Sequence, residues 1–222
     1  MQVIDLSQPL GPATTPWPGQ EPFSARVDAT VATDGYFIRR IDISEHVGTH
    51  FDAPAHFHAE GITVDQVPAD QLVVPARLLD VADRVGDNSD YAVSAADVEA
   101  MEAAHGRLQP GDALVVRTGW DRHVGDGPRY VSDLRSPGVG IDAAELAIER
   151  GVVGIAIDTL SIDRGAATDF VVHYRTLPAG LWQVEGLVGL ERLPAVGALL
   201  IVGVPPIVGA SGFPARVLGL VI

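Results

Sequence analysis

Three histidines and one aspartate lie within eleven consecutive residues of this 222-residue chain. The sequence of this run, HVGTHFDAPAH, strongly constrains the local backbone. The four residues are His46, His50, Asp52 and His56. Gly48 and Pro54 interrupt the run, which disfavours a continuous helix. An extended segment instead puts His50 and Asp52 on one side of a strand, because side chains alternate with a period of two. The run therefore predicts a short strand that Pro54 ends.

The chemistry of these four side chains favours a metal site. Imidazole and carboxylate suit divalent ions such as Zn or Mn, and the chain has no Cys to offer a thiolate. The conformational freedom of Gly48 would allow the backbone to turn, so that His46 could reach the same site from the preceding turn. The alternative is a polar loop whose histidines bond to backbone groups. Structural Zn sites usually contain Cys, so a site of His and Asp more often carries out a reaction.

Four residues leave such a site incomplete, so further ligands are expected elsewhere in the chain. His173 and Glu185 are the two candidates, and they flank residues 174–184. The other histidines are His58, His105 and His123. On the sequence alone, His173 and Glu185 could equally be surface residues.

The histidine run resembles the H-x-G-T-H-x-D-x-P-x-H signature of the cyclase family of metal-dependent hydrolases. This family includes bacterial kynurenine formamidase and isatin hydrolase. Further segments resemble the family in the same order along the chain: residues 4–10, 17–19, 154–163 and 212–216, and the pair His173 and Glu185. The resemblance therefore extends over nearly the whole chain.

The resemblance implies a role for each candidate residue. It implies two divalent metal ions, Zn or Mn, held by His46, His50, Asp52, His173 and Glu185. The residue that matches His56 transfers protons in the family, and Trp17 matches a position that lies against the substrate in kynurenine formamidase. Trp17 could equally pack over the barrel mouth or at a subunit contact. Asp158 and Asp163 lie in the segment 154–163 that resembles the family, where each could cap a turn or support a ligand.

The secondary-structure pattern predicts a mixed α/β domain. Strands are expected over residues 72–81, with Pro75 favouring an edge or a bulge, and over 113–117, 152–157, 198–204 and 216–221. One helix is expected from Ser94, with Asp97 three residues on in a capping-box position, to Gly106. A second is expected from Asp142, with Glu145 near its start, to Gly151. The resemblance implies one domain over residues 1–222, with a barrel-like mixed sheet core flanked by helices, the swivelling β/β/α type of the cyclase family.

Charge and hydropathy narrow the possible partners. A formal net charge of -14 argues against a nucleic-acid partner, because proteins bind nucleic acid largely through Lys and Arg side chains that neutralise phosphates. The longest apolar stretch, residues 196–210, is interrupted by two prolines and is too short to span a bilayer comfortably. With no signal peptide in view, a cytoplasmic protein is expected. The resemblance implies a homo-oligomer, a dimer or tetramer, with Tyr36, Phe37 or Trp182 as candidate interface residues.

Together with the candidate metal ligands, the resemblance implies a hydrolase of a carbon-nitrogen bond in a small amide, arylformamidase-like, acting on an aryl formamide such as N-formylkynurenine in tryptophan catabolism. Asp52 and Glu185 suit a site of two ions because each carboxylate has two oxygens. His56 would give the leaving amine its proton. The alternatives are opening of a cyclic amide such as isatin or of a lactone, a family member that binds metal or ligand without turnover, and a metal-dependent oxygenase.

Overall fold

Strands and short helices alternate along the computed structural model, which describes residues 1–165 and 167–222. The strands are β1 (Gln2–Asp5), β2 (Ser24–Ala29), β3 (Ile38–Asp42), β4 (His50–Asp52), β5 (Val73–Asp80), β6 (Ala92–Val93), β7 (Ala113–Arg117), β8 (Gly138–Val139), β9 (Gly154–Ile157), β10 (Trp182–Glu185), β11 (Ala198–Gly203), β12 (Gly212–Pro214) and β13 (Arg216–Val221). The helices are α1 (Val31–Asp34), α2 (Ala82–Val85), α3 (Ala95–His105), α4 (Gly127–Val131), α5 (Ile141–Arg150) and α6 (Val171–Thr176).

Nine of these strands form one curled, half-barrel sheet in the order β1-β13-β11-β5-β7-β9-β10-β4-β12. Strands β5, β7, β9 and β10 are parallel, and the other pairings are antiparallel. Helices α3, α5 and α6 lie between successive parallel strands along the chain. The predicted mixed α/β class, with a barrel-like sheet flanked by helices, is therefore confirmed. In the described part of the chain, no helix is long and apolar enough to cross a lipid bilayer.

Strands β7 and β9 are buried on both faces, which explains their nearly continuous apolar sequences. On β7, Leu114 and Val116 pack in the same apolar cluster as residues of α3 and α5. Ala113 and Val115 belong to a second cluster that also contains Phe51 and Trp182. The alternation assigns successive side chains to opposite faces of the sheet, as a period of two requires.

The two predicted helices begin differently. Helix α3 has the predicted capping box, in which Ser94 Oγ accepts a hydrogen bond from Asp97 N at 3.3 Å and Asp97 Oδ2 accepts one from Ser94 N at 2.9 Å. Helix α5 instead has Gly140 at its N-cap, so Asp142 as the starting residue was wrong. The Asp142 carboxylate accepts a hydrogen bond from Ala95 N at 2.9 Å and so links the starts of the two helices.

Pro75 was expected at an edge or a bulge, and Trp182 was a candidate interface residue. Strand β5 is interior to the sheet, but Pro75 pairs only with Leu199 of β11, because the ladder to β7 begins one residue later, at Ala76. The proline therefore occupies a locally open edge. Trp182 is not an interface residue: its side chain is buried, and its indole N–H donates to Gln71 O at 3.1 Å.

Gly154→Ala is expected to destabilise the protein by about 1–3 kcal/mol, the usual cost of overpacking a core. A Cβ at Gly154 would overlap the buried ring of Trp182 on the neighbouring strand. The measurement is the free energy of unfolding from urea titration. Gly11→Ala is the control, because nothing lies within 4 Å of its added Cβ. Equal stability of the two variants would show that the Trp182 ring is free to move.

Candidate metal centre

Two antiparallel strands bring most of the candidate ligands onto one face of the sheet. His50 and Asp52 lie on β4 with a period of two, and both are buried. In the ladder between β4 and β10, Glu185 stands opposite His50 and Gln183 stands opposite Asp52. Directly opposed residues of an antiparallel pair project to the same side. Glu185, the last residue of β10, therefore lies beside His50, although more than one hundred residues separate the two in the sequence.

His46 reaches this face from the turn that Gly48 forms. Gly48 has a φ of 64°, a left-handed conformation that suits glycine. The His46 ring then packs over Gly212 on β12, where a Cβ would overlap it. His46 Nδ1 lies 2.6 Å from Asp52 Oδ1, and His46 Nε2 lies 2.9 Å from Ser211 Oγ. Gly212 thus provides the room that the first histidine of the run needs.

His173 comes from helix α6, and a carboxylate behind it fixes its orientation. Asp163 Oδ2 lies 2.6 Å from His173 Nδ1, and the same carboxylate accepts hydrogen bonds from the backbone N–H groups of Val172 and His173. On the opposite side of the site, His50 Nδ1 lies 3.0 Å from Gly48 O. Both histidines therefore have Nδ1 occupied and Nε2 turned into the site, the arrangement found for histidine ligands.

Short distances join the side chains at the centre. His50 Nε2 lies 3.4 Å from both Asp52 Oδ1 and Glu185 Oε2. His173 Nε2 lies 3.3 Å from Glu185 Oε1 and 3.9 Å from Asp52 Oδ2. The structure thus brings together all five residues that the sequence indicated as ligands. Their roles as ligands stay a prediction.

The donors at this centre fit a divalent metal. Asp52 Oδ2 is buried and has no hydrogen-bond partner within residues 1–165 and 167–222, a costly arrangement that a bound cation would relieve. Ligand atoms of His50, Asp52 and Glu185 lie within 4.8 Å of one another, as do those of His46, Asp52 and His56. Both groups share Asp52, and their nitrogen and oxygen donors suit ions such as Zn or Mn.

Charges at the centre compensate one another strongly. Burial disfavours the Asp52 carboxylate, but the imidazoles of His50 and His46 outweigh it and hold the pKa of Asp52 below its usual range. Burial also disfavours a charged His173, yet Asp163 and Glu185 raise the pKa of His173 to about 10. In the metal-free protein His173 is therefore a cation at neutral pH, and a metal has to displace its proton in order to bind there.

His56 sits in the same cluster but in different surroundings. It ends a short 3₁₀ helix, Pro54–His56, and its ring stacks on that of His46 with the centroids 3.7 Å apart and the planes at 18°. Burial lowers the pKa of His56 to about 4, so its imidazole is neutral at neutral pH. A neutral imidazole can accept a proton, but it can also bind a metal. The geometry alone permits both roles.

An aromatic cavity of about 170 Å³ opens over the centre. His46, His50, His56, His173 and Glu185 line it, together with the apolar side chains Trp17, Phe57, Leu160 and Phe170. The Trp17 and Phe170 ring centroids are 6.3 Å apart, and those of Phe57 and Phe170 are 5.7 Å apart. Trp17 therefore lies where a substrate ring could contact it, although its role in binding stays a prediction.

Sequence reasoning left open or missed several supporting residues. Asp163 contacts His173, whereas Asp158 bonds to Thr118 and to the backbone N–H of Gly119, away from the ligands. Ser211 and Glu45 were missed: Ser211 Oγ donates to Glu45 Oε2 at 2.6 Å behind the His46 ring. Ser211 lies just before the segment 212–216 that resembles the family. No sequence motif therefore indicated a role for it.

The remaining histidines lie outside both ligand groups. His105 is the last residue of α3, near the helix C-terminus where a cation is favourable. His123 ends the short 3₁₀ helix Trp120–His123, where it is buried, and its ring lies edge-on to Trp120 with the centroids 4.8 Å apart. His58 is partly buried two residues beyond His56.

Asp163→Asn is expected to weaken metal binding by about 10–100-fold, the usual effect of removing a carboxylate behind a histidine ligand. The amide is nearly the same shape but carries no charge to hold the His173 tautomer. The measurement is the dissociation constant for Zn or Mn, by titration of the metal-free protein. Exposed Asp70 gives the control variant Asp70→Asn. An unchanged dissociation constant in Asp163→Asn would mean that His173 needs no support from Asp163.

Comparison with known proteins gives one consistent family. A family profile described as "Putative cyclase" matches residues 4–164. The chain is 31% identical to an isatin hydrolase of Roseibium aggregatum over 192 residues, which cover 81% of this chain and 73% of that protein. It is 28% identical to a kynurenine formamidase of Bacillus cereus over 215 residues, which cover 96% of this chain and 94% of that one.

Solved structures give the same result. A crystal structure of an isatin hydrolase bound to the product analogue thioisatinate superposes with a TM-score of 0.93 at 28% identity, covering 99% of this chain and 92% of that one. A potential metal-dependent hydrolase with cyclase activity superposes with a TM-score of 0.77 at 26% identity, covering 98% of this chain and 96% of that one. The half-barrel sheet and its helices are thus shared with metal-dependent hydrolases.

Proposed function

This chain belongs to the cyclase family of metal-dependent hydrolases, and from that membership we propose that it hydrolyses the carbon-nitrogen bond of a small aryl amide. An aryl formamide such as N-formylkynurenine is the first candidate substrate, because a kynurenine formamidase aligns over 96% of the chain. The cofactor we propose is a pair of divalent ions, Zn or Mn.

One observation supports this function above the others. Asp52 Oδ2, which has no hydrogen-bond partner among the described residues, lies among three buried ligand candidates beneath an aromatic cavity. A buried carboxylate oxygen without a donor is a poor stabiliser of the fold. Its surroundings, His50, His173 and Glu185, offer nitrogen and oxygen donors from three separate elements. Asp52 would help to hold both ions, since both ligand groups contain it.

Each group at the site has a distinct task in the proposed reaction. When bound, divalent cations polarise a carbonyl and lower the pKa of water from 15.7 toward about 7. Trp17, Phe57 and Phe170 hold the aryl ring by apolar contact. As water adds to the carbonyl carbon and the carbon-nitrogen bond breaks, His56 accepts a proton at its imidazole and returns one to the leaving nitrogen. The products are a carboxylic acid and an amine.

A cyclic aryl amide such as isatin is the second candidate substrate. The aromatic walls of the cavity suit a planar ring, and the isatin hydrolase structure has the same fold with a TM-score of 0.93. Opening a cyclic amide requires the same proton transfers, but the carboxylic acid and the amine that form stay joined in one molecule. The two candidates therefore differ in the shape of the substrate, and not in the groups that act on it.

Turnover by metal-stripped protein reloaded with Zn or Mn would test the proposal. We expect hydrolysis of N-formylkynurenine or of isatin at a kcat/KM at least ~10²-fold above that of a simple aryl ester, with no consumption of O₂. Oxygen consumption during turnover would indicate an oxygenase. Lack of hydrolysis of all three substrates by the fully loaded protein would leave a metal-binding or ligand-binding family member and contradict the proposed activity.

A further inference from the structure

Two polar side chains in the aromatic cavity are not used by the proposed reaction. Gln20 and Ser161 line the cavity beside the candidate ligands, His56 and the apolar walls. None of the described residues that line it is Arg, and the chain has no Lys. A buried carboxylate without a cation beside it is costly. Away from the metal centre, the cavity therefore suits a substrate whose further polar group is uncharged.

A tight turn fixes the position of Gln20. Gln20 N donates to Trp17 O at 3.0 Å, and Gly19 has a φ of 91°. Pro18 precedes this glycine, so the four residues have the pattern of a type II turn. Trp17 and Gln20 stand at the two ends of the turn, and both line the cavity. One short, constrained segment therefore presents an aromatic ring and an amide to the same cavity.

The turn is attached both to the metal centre and to the core. Pro16 forms an antiparallel bridge with Val47, which lies inside the histidine run. Trp17 packs against a buried cluster that contains Trp120 and Tyr130. Because both contacts hold the turn, a group bound by its amide would have a fixed position relative to the candidate ligands. Selectivity between similar substrates depends on such preorganisation.

The Gln20 amide lacks partners at both of its ends. Its Oε1 is enclosed and has no donor in residues 1–165 and 167–222. Its NH₂ group makes no hydrogen bond within the same residues, and unlike Oε1 it is not enclosed. An amide NH₂ offers two donors, and leaving them unpaired beside an apolar ligand costs free energy. The open end of Gln20 is thus a donor available to a bound molecule.

We propose that Gln20 is a specificity-determining residue, whose NH₂ group donates a hydrogen bond to a carbonyl that the aryl ring of the substrate carries in addition to the scissile amide. This role rests on the hydrolase function proposed above, and it narrows the substrates to aryl amides with a ring-borne carbonyl. An uncharged donor suits an uncharged acceptor in a cavity whose described lining contains no Arg. N-formylkynurenine and isatin both have such a carbonyl, on the ring carbon next to the one that bears the nitrogen.

Binding of two matched amines to the metal-loaded protein tests Gln20 without turnover. They are ortho-aminoacetophenone, which has the carbonyl, and ortho-isopropylaniline, in which a methyl group replaces its oxygen. We expect the wild type to prefer the acetyl compound, and this ratio of Kd values to shrink by at least about fivefold in Gln20→Met and in Gln20→Glu. Methionine has no polar hydrogen, and glutamate keeps the shape but has no N–H to donate. Gln2→Met is the control, because Gln2 is exposed on β1.

Hydrolysis of the two corresponding formanilides reports separately on the reaction. In both Gln20 variants the ratio of kcat/KM for the acetyl compound to that for the isopropyl compound should fall by at least about tenfold. The intrinsic reactivities of the pair cancel, because they are the same for every variant. A wild type that hydrolyses neither formanilide contradicts the proposed function, while the Kd ratios still decide the role of Gln20.

Three results would overturn the role of Gln20. One is a wild type that binds the acetyl amine no better than the isopropyl amine. Another is an unchanged Kd ratio in Gln20→Met and Gln20→Glu, with thermal melting used to confirm that both variants are folded. The third is a ratio that is lost in Ser161→Ala but kept in the Gln20 variants, which would make the Ser161 hydroxyl the donor.

Discussion

Glu185→Gln is expected to lose bound metal and to lower kcat/KM by on the order of 10³-fold or more, since even the carboxylates behind ligands contribute 10–100-fold. Glu185 lies at the middle of the candidate centre, with Oε2 3.4 Å from His50 Nε2 and Oε1 3.3 Å from His173 Nε2. Glutamine fills the same volume but replaces one oxygen with an NH₂ group. The variant can therefore no longer offer two anionic oxygens to cations.

Metal content after dialysis and kcat/KM on the best substrate are the two measurements. Glu191→Gln is the control, because Glu191 is exposed on the short 3₁₀ helix Leu190–Arg192. Glu185 Oε1 also accepts a hydrogen bond from Ile162 N, so the thermal stability of the metal-free variant has to be compared with that of metal-free wild type. Full metal occupancy with turnover within tenfold of wild type would remove Glu185 from the ligand set.

The same centre predicts how metal affinity depends on pH. His173 has a pKa of about 10 in the metal-free protein, because Asp163 and Glu185 outweigh the effect of burial. At any pH below that value the metal has to displace this proton, so the apparent affinity should fall about tenfold for each unit of acidification from this group alone. Metal titration between pH 6 and pH 8 measures the slope, and a flat profile would contradict binding at His173.

Local residue patterns were enough to predict several elements of the fold. The alternation of His50 and Asp52 predicted strand β4, and Ser94 with Asp97 predicted the start of α3. Each of these patterns depends on residues close in sequence, where backbone sterics and hydrogen bonding act directly. The choice of His173 and Glu185 depended on the family resemblance, because strand pairing between β4 and β10 cannot be calculated from either segment alone.

What was missed depends on tertiary packing. Asp158 and Asp163 both lie in the segment 154–163 that resembles the family, and only the position of helix α6 makes Asp163 the partner of His173. Trp182 is buried because Gly154 on the adjacent strand leaves room for its ring. Neither relation has a local sequence signal.

His56→Ala is expected to keep most of the metal and to lower kcat by about 10²–10⁴-fold, the usual contribution of a general acid or base. The imidazole is neutral because burial lowers the pKa of His56 to about 4, and it lines the cavity beside the candidate ligands. Removing it takes away the proton acceptor, while Asp52, Glu185 and the other imidazoles remain. At about 1.36 kcal/mol per factor of ten, the expected loss corresponds to roughly 3–5 kcal/mol of transition-state stabilisation.

Metal analysis of this variant decides between two roles, because His56 also belongs to a group of potential ligands with His46 and Asp52. Stacking on the His46 ring at 3.7 Å places the His56 imidazole close to that group. His58→Ala is the control, since His58 is nearby on the chain but outside both ligand groups. Retained metal with lost turnover would support proton transfer by His56. A loss of one metal equivalent would instead make His56 a ligand, and the proton would then have to move through another group that lines the cavity.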